Sequence, residues 1–215
     1  MTNSERIRKF YQALHKKFGP QGWWPGESAL ECILGAILTQ NTSWKNVEKA
    51  IDNLKRENLI SVEDLSLIKA DELAELIRPS GYYNQKALKI KNFISFLVDE
   101  FSGSLDSMFA TEKPHLRKKL LSIKGIGPET ADSIMLYAGG IPVFVVDAYT
   151  WRVLHRHGLV PEQTSYDEIQ EIFTDSLADD AGMFNEYHAL LVKLAKEHCK
   201  KRDPICSGCP LEYDP

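Results

Sequence analysis

The stretch IKGIGPETAD, at residues 123–132, predicts the element around which this chain is organised. Two glycines, Gly125 and Gly127, flank one apolar residue. Such a pattern can form a tight hairpin, because glycine accepts positive φ while Ile126 turns inward. Pro128 suits the first position of a helix, where its missing N–H costs nothing. The stretch therefore predicts a hairpin that leads directly into a helix.

The segment before the hairpin predicts a second helix, since Leu116, Leu120 and Ile123 recur at helical spacing. Together these elements make a helix-hairpin-helix, whose glycine amides could hold a phosphate or a phosphate-bound monovalent cation. Gly-x-Gly by itself also occurs in nucleotide loops and in plain helix connections. A dinucleotide fingerprint needs a third glycine, and position 130 is Thr, so that template fails.

A second stretch, VDAYTWRV at residues 146–153, follows the hairpin helix. The hairpin and this stretch together resemble the helix-hairpin-helix (HhH-GPD) DNA glycosylases of the endonuclease III superfamily, whose motif runs from G-h-G into V-D-x-x-x-x-R-V. Three further segments look like the 3-methyladenine DNA glycosylase III type: WWP at 23–25, LTQNT at 38–42 and RPSGYYNQKA at 78–87. The resemblance covers roughly residues 20 to 200.

The resemblance implies an all-α, two-lobed endonuclease III-like fold with a C-terminal cysteine loop. Residues 26–133 would form a central lobe containing the helix-hairpin-helix, and residues 1–25 plus 134–215 a second lobe. The substrate would lie in the cleft between them. Apolar stripes at helical spacing support the helical content. The one strand-like run, 143–146, is interpreted as a buried entry into the next helix, with a lone strand as the alternative.

Asp147 is the candidate catalytic residue. As the glycosidic bond breaks, the sugar becomes oxocarbenium-like, and a carboxylate can stabilise that charge or orient the attacking water. The alternative is a plain helix N-cap, which fits its position after residues 143–146.

Position 129 limits the chemistry. Bifunctional members of the family carry a nucleophilic lysine two residues after the second hairpin glycine, and this chain has Glu129 there. A carboxylate cannot form a Schiff base, so the resemblance implies a monofunctional glycosylase that uses water. Glu129 would contact the base, or simply favour the first turn of its helix through the macrodipole. Lys124 precedes the hairpin and is assigned no role.

The resemblance assigns DNA contacts and a base pocket. Tyr82 and Gln40 would fill the gap left by the flipped base, although Tyr82 could also be an ordinary loop aromatic. The complete set of expected DNA contacts is Gln40, Tyr82, Lys86, Gly125, Ile126 and Gly127. The expected pocket residues are Trp23, Trp24, Trp44 and Glu129. An aromatic pocket suits a cationic N-alkylated purine, although tryptophans are more often core residues.

The spacing Cys199-x6-Cys206-x2-Cys209 matches the first three ligands of the iron–sulfur loop found in many endonuclease III relatives. The fourth ligand should fall at position 215, which is Pro. Three interpretations follow: a [4Fe–4S] cluster with a missing or non-cysteine fourth ligand, a zinc site completed by a residue such as His198, or a vestige. The cluster is the favoured one.

Composition is that of an ordinary globular protein, with 215 residues, 43% hydrophobic content and a net charge of −4. No signal peptide or long apolar run is evident, which predicts a cytoplasmic protein without membrane contact, nucleoid-associated if the source is bacterial or archaeal. A monomer is expected. The partner would be double-stranded DNA with a damaged base. Since the net charge has the wrong sign for a nonspecific DNA coat, lysines and arginines between 113 and 124 would steer phosphate.

The predicted function is hydrolytic release of a damaged base in base excision repair, with an alkylated purine such as 3-methyladenine as the substrate. The first alternative is another lesion: mismatched adenine, or uracil or thymine opposite guanine. The second is a non-catalytic helix-hairpin-helix DNA-binding protein.

Overall fold

The computed structural model describes residues 1–23 and 26–214, and within these ranges every regular element is helical. The chain divides into two compact units. The terminal unit comprises Met1–Trp23 and Pro142–Pro215, and the central unit comprises Trp24–Ile141. The prediction placed the second boundary between residues 133 and 134, but the hairpin helix continues to Ala138, so the chain leaves the central unit only after it.

The helices succeed one another with short connections. In chain order they are α1 (Asn3–Phe18), α2 (Ala29–Leu38), α3 (Trp44–Arg56), α4 (Val62–Leu67), α5 (Ala70–Leu76), a 3₁₀ turn (Arg78–Ser80), α6 (Tyr83–Phe101), α7 (Leu105–Phe109), α8 (Lys113–Leu121), α9 (Pro128–Ser133), a π-helical turn (Ile134–Ala138), α10 (Ala148–Arg156), α11 (Tyr166–Thr174) and α12 (Ala181–Glu197).

The central unit is built around α2. This helix starts at Ser28, whose side chain accepts a hydrogen bond from the Glu31 amide at 3.2 Å, and it is buried from Cys32 to Leu38. It packs against α3, α6, α9 and the π-helical turn. A helix that is apolar on nearly every face must be enclosed by other helices, which explains its central place.

The terminal unit is built around α12, which packs against α1 and α10. Its core is aromatic. Phe144 and Phe173 stack with ring centroids 3.7 Å apart, and the Phe184 and Tyr187 rings meet Phe144 edge-on. The buried Tyr187 hydroxyl donates to the Ile7 carbonyl at 2.8 Å, so its polar end is satisfied inside the core.

The helical prediction is confirmed. Residues 143–146 are buried and belong to no strand in the described part of the chain, as expected for an entry into α10. Ser165 and Glu168 form a capping box at the start of α11. Among the described residues, no helix is both long and apolar enough to cross a membrane.

Candidate active site and nucleic-acid interface

The predicted hairpin joins α8 to α9 in the central unit. Gly125 has a φ of +98°, which only glycine adopts easily, and Ile126 is buried as expected, with 5% exposure. Gly127 differs from the expectation: its φ is −99° and its ψ is −179°, so it is extended and serves as the N-cap of α9. Only the first glycine is therefore required by backbone conformation.

The two glycines also differ in their surroundings. A Cβ on Gly125 would lie 2.6 Å from Cγ of Lys89, whose side chain runs along the hairpin, whereas a Cβ on Gly127 would meet nothing within 4 Å. Gly127 is exposed at the helix N-terminus. Its lack of a side chain leaves the amides there accessible to a ligand such as phosphate.

A buried ion pair holds the two helices of the motif together. The Asp132 side chain on α9 is fully buried, and it accepts hydrogen bonds from Nε and Nη2 of Arg117 on α8 at 2.8 and 3.1 Å. Arg117 therefore has a structural role, although it belongs to the basic segment expected to steer phosphate. In that segment Lys118 and Lys124 are exposed.

Gln40, expected to enter the DNA, is half-buried beside the hairpin helix. Its Nε2 donates to Oγ1 of Thr130 at 2.8 Å, and its Oε1 accepts from the Lys89 ammonium. Since Lys89 also packs against Gly125, one lysine connects the Gln40 loop with the hairpin.

Tyr82, the other expected DNA wedge, precedes α6. Its backbone is left-handed, with a φ of +48° and a ψ of +31°, and its side chain is 67% exposed. A left-handed conformation costs a non-glycine residue roughly 1–2 kcal/mol. An exposed aromatic ring on such a backbone is a recognised mark of a functional position.

Lys86 does not occupy the position expected of a DNA contact. It is 2% exposed, and its ammonium donates to the carbonyls of Leu38 and Ser80 at 2.8 and 2.7 Å. Burial and the nearby charge of Lys89 lower the pKa of Lys86 to about 8. Lys86 thus supports the segments that carry Gln40 and Tyr82 from inside the central unit.

Asp147 lies at the start of α10 in the terminal unit. Its Oδ1 accepts hydrogen bonds from the Thr150 amide at 2.7 Å and the Thr150 hydroxyl at 3.0 Å, so it is the N-cap that the alternative interpretation required. Its Oδ2 takes no part in this cap and lies 3.4 Å from Nε2 of His188. The two carboxylate oxygens therefore have different environments.

The Asp147 carboxylate is almost enclosed, with a side-chain exposure of 13%. Burial raises the pKa of Asp147, but the charge of His188 and the hydrogen bonds from His188 and Thr150 outweigh it, and the pKa lies below its ordinary value. The carboxyl group is accordingly ionised at neutral pH despite its burial.

His188 is a site residue that sequence reasoning missed. It lies on α12, is 4% exposed, and packs against the Trp23 ring at a centroid distance of 5.3 Å. Asn185, one turn earlier, donates from Nδ2 to the Trp23 carbonyl at 2.9 Å. A single histidine on an apolar helix gives no local signal of such a contact, because only the fold brings it to Asp147.

The remaining pocket candidates are divided between the units. Trp23 is half-buried against α12, where it contacts Asn185 and His188. Trp24 lies outside the described residues. In the central unit, Trp44 is the half-buried first residue of α3, and Glu129 is exposed in the first turn of α9. Trp23 and Asp147 therefore contact a common residue, His188, within one unit.

Comparison with known proteins decides the family. The model of the HhH-GPD superfamily of base excision DNA repair proteins matches residues 34–179. The chain belongs to this superfamily. A Methanocaldococcus jannaschii protein provisionally named a DNA repair glycosylase is 49% identical to this HhH-GPD protein over 210 residues, covering 97% of this chain and 94% of the relative.

Two solved structures resemble this HhH-GPD protein. The Helicobacter pylori 3-methyladenine DNA glycosylase bound to 1,N6-ethenoadenine has a TM-score of 0.75 at 28% identity, covering 92% of this chain and 98% of the other. A non-covalent endonuclease III–DNA complex has a TM-score of 0.84 at 24% identity, covering 100% of this chain and 95% of the other. The latter likeness establishes the endonuclease III fold.

The C-terminal cysteines of this HhH-GPD protein lie in one loop after α12. Cys199 is buried, Cys206 is exposed, Cys209 is half-buried, and the Cys209 amide donates to the Cys206 carbonyl at 3.0 Å. Burial and the neighbouring charges of Cys199 and Cys206 raise the pKa of the Cys209 thiol. The loop is held to α10 by Arg156, whose Nη1 lies 3.3 Å from Sγ of Cys199.

The three loop cysteines are not gathered into a metal site among the described residues. Within residues 1–23 and 26–214, no three His, Cys, Asp or Glu side chains are grouped so as to hold a metal ion. Asp214 is engaged by Arg6 and His157, while the ring nitrogen Nδ1 of His198 lies 3.2 Å from the Ile205 carbonyl. No catalytic step is therefore assigned to a metal.

Proposed function

We propose that this protein is a monofunctional DNA glycosylase that hydrolyses the N-glycosidic bond of a flipped, alkylated purine such as 3-methyladenine and leaves an abasic site. The observation that carries the proposal is the arrangement of Asp147. It is a buried carboxylate with a lowered pKa, one oxygen of which is used by the helix cap while the other is not.

The reaction needs little more than this carboxylate. The base of an N-alkylated purine nucleotide is cationic, so the bond to C1′ breaks with both electrons going to the base, which leaves as a neutral molecule. The sugar then carries the positive charge, which Asp147 stabilises through Oδ2. A water oxygen bonds to C1′ and the water releases one proton to the surrounding solvent, which gives the abasic hydroxyl.

Strand cleavage is not part of the proposed activity. The position used by lysine in bifunctional relatives is Glu129, which is exposed in the first turn of α9 and cannot form an imine. Treatment with borohydride during turnover should therefore trap no protein–DNA adduct. An adduct, or strand nicking without alkali, would overturn the monofunctional proposal.

Two observations support an alkylated purine. Trp23 contacts His188, the residue that also contacts Asp147, so an aromatic ring belongs to the same cluster as the carboxylate. In addition, the H. pylori relative, 28% identical, is a 3-methyladenine DNA glycosylase bound to a modified adenine. Attraction of a cationic base to an aromatic face is worth roughly 0.5–2 kcal/mol.

Flipping and DNA contact are assigned to the central unit. The exposed ring of Tyr82 would occupy the gap in the base stack, and Gln40 would contact the DNA from its position beside Thr130. The amides at Gly125 and Gly127 would hold a backbone phosphate. A monovalent cation at the hairpin stays a prediction.

The substrate is tested with a panel of duplexes carrying 3-methyladenine, 7-methylguanine, 1,N6-ethenoadenine, uracil, thymine opposite guanine, and adenine opposite 8-oxoguanine. Base release is measured with and without alkali. We expect release from the alkylated purines. Release confined to uracil, thymine or mismatched adenine would assign the protein to a different lesion.

Asp147→Asn tests the catalytic role without loss of the cap, because Asn is as good an N-cap as Asp. We expect base release to fall by roughly 100-fold or more, in the range of losses for such groups, with duplex binding retained. Asp180→Asn is the matched control, since Asp180 caps α12 in the same unit through the Met183 amide. If Asp147→Asn keeps full activity, Asp147 is only a cap; if no duplex in the panel is cleaved, the protein is a DNA-binding module.

A cluster held by Cys199, Cys206 and Cys209 also stays a prediction, separate from this mechanism. Iron and acid-labile sulfide are measured in protein purified without oxygen. About four of each per chain would indicate a [4Fe–4S] cluster, zinc alone would indicate the alternative site, and folded, active protein lacking both would identify the loop as a vestige.

A further inference from the structure

His188 combines features that packing alone does not require. Its Nε2 lies 3.4 Å from Oδ2 of Asp147, the oxygen that the helix cap leaves unused. The ring is buried between Trp23, at a centroid distance of 5.3 Å, and Phe144, at 6.4 Å and nearly perpendicular. One imidazole therefore contacts both the candidate catalytic carboxylate and the candidate pocket aromatic.

We propose that His188 is the positioning residue of Asp147: its imidazole holds Oδ2 in a fixed direction and connects this carboxylate with Trp23. The inference rests on the proposed glycosylase function, because it concerns how the catalytic carboxylate is held. His188 itself transfers no group in the reaction.

The need for such a residue follows from burial. A carboxylate removed from water loses solvation and must be compensated by a partner and by hydrogen bonds. The Thr150 amide and hydroxyl serve Oδ1, whereas Nε2 of His188 lies 3.4 Å from Oδ2. The aromatic contacts fix the ring, which in turn fixes the direction in which Oδ2 faces.

Two aromatic rings pack against His188, those of Trp23 and Phe144, and neither carries a charge. Glu186, two residues before His188 on α12, accepts from the backbone amides of Gln21 and Gly22. The Asp147 carboxylate is a charged group that faces the His188 ring.

The test uses two substitutions and measures single-turnover base release against pH together with thermal unfolding. His188→Gln retains an amide donor but removes the charge. His188→Phe retains ring packing but removes both the donor and the charge. Without the charge of His188 the pKa of Asp147 rises. On acidification Asp147 should then be protonated, and the rate lost, at a higher pH than in the wild type. We expect the acidic side of the pH–rate profile, the acid limb, to move to higher pH in both variants. The rate at neutral pH should fall at least tenfold in His188→Phe and less in His188→Gln.

The matched control is His155→Gln, a histidine of the same unit that stacks on Trp151 at 5.0 Å and has no place in the site. Its acid limb should match that of the wild type. Folded His188 variants with an unchanged rate and acid limb would overturn the inference, as would an equal shift in His155→Gln. Should His188→Phe fail to fold, His188→Gln still decides the question.

Failure of this inference is distinguishable from failure of the proposed function. If the wild type releases a base and Asp147→Asn does not, while the His188 variants behave like the wild type, only the role of His188 is wrong. If Asp147→Asn is fully active, or no base is released, the proposed function itself is wrong.

Discussion

At the scale of residues, Asp147 shows that a structural and a catalytic role need not exclude each other. Its Oδ1 caps α10 through Thr150, while Oδ2 faces His188. The sequence made N-capping the competing interpretation, and because the cap uses only Oδ1 it leaves the proposed catalytic role of Oδ2 open. The same cap fixes the carboxylate relative to the helix that follows it.

Gly127 gives a residue-scale prediction about the hairpin. Neither its φ of −99° nor its internal contacts require glycine, and alanine restricts the unfolded chain but is the poorer N-cap, so Gly127→Ala should change the free energy of unfolding by no more than about 1 kcal/mol. If a DNA phosphate approaches the amides there, the added methyl should weaken duplex binding by about tenfold, equivalent to ~1.4 kcal/mol. Urea unfolding and fluorescence anisotropy with a duplex containing an abasic analogue measure the two effects.

Gly125→Ala is the paired variant for the effect on stability. Gly125 has a φ of +98° and packs against Lys89, so alanine should destabilise the fold by roughly 1–3 kcal/mol. Duplex binding by Gly127→Ala that equals the wild type would contradict a phosphate contact at the second glycine.

At the scale of elements, Lys86 joins the end of α2 to the 3₁₀ turn before Tyr82. Its ammonium serves the carbonyls of Leu38 and Ser80, so two segments carrying candidate DNA contacts share one internal support. Tyr82 and Lys86, which belong to one sequence motif, are both predicted DNA contacts. In the structure the Tyr82 ring is exposed, whereas the Lys86 amine is buried.

Lys86 also predicts a pH dependence of stability. Its folded pKa is about 8, below the ordinary value of 10.5, so between these values the unfolded chain holds a proton that the folded chain has lost. Stability then rises with pH over this interval, by about 1–3 kcal/mol. Relative to Lys86→Met, the wild type should gain this stability between pH 8 and pH 10 in urea unfolding, since the variant lacks the titrating group.

Lys91→Met is the control on the same helix, because Lys91 also donates to three backbone carbonyls, those of Leu65, Ser66 and Ile68. The Lys91→Met variant shows how the loss of a lysine that binds carbonyls changes stability by itself. An identical pH dependence in the wild type and Lys86→Met would show that Lys86 does not titrate as expected.

At the scale of the whole molecule, the described chain ends meet within the terminal unit. Asp214 accepts from Arg6 on α1 at 3.0 Å and lies 2.9 Å from Nδ1 of His157. Burial raises the pKa of Asp214, but the hydrogen bonds and charges of Arg6 and His157 outweigh it, so the pKa is lowered. This ion pair connects residues 6 and 214 across nearly the full length of the sequence.

Asp214→Asn tests this connection. A carboxylate with a lowered folded pKa contributes stability above its unfolded pKa, and that stability is lost as the pH falls through the folded value. We therefore expect the variant to be less stable than the wild type by roughly 1–3 kcal/mol at pH 7, the worth of hydrogen bonds to a charged group, and equally stable near pH 2. Asp175→Asn, an exposed change in the same unit, is the control, and a constant difference at both pH values would contradict the expectation.

The sequence alone determined the features that depend on neighbouring residues. Apolar spacing defined the helices, Gly125 and Pro128 defined the hairpin and the start of α9, and Glu129 excluded an imine at its position. These follow from local backbone preference and side-chain chemistry, which a short stretch of sequence already contains.

Only the tertiary structure decided which side chains meet. Lys86 is buried and His188 lies against Asp147 because packing brings together residues that are far apart along the chain. Gln40 is held by Thr130 for the same reason. Pairings of this kind depend on the geometry of helix packing, to which every residue of the core contributes, and no local pattern encodes them.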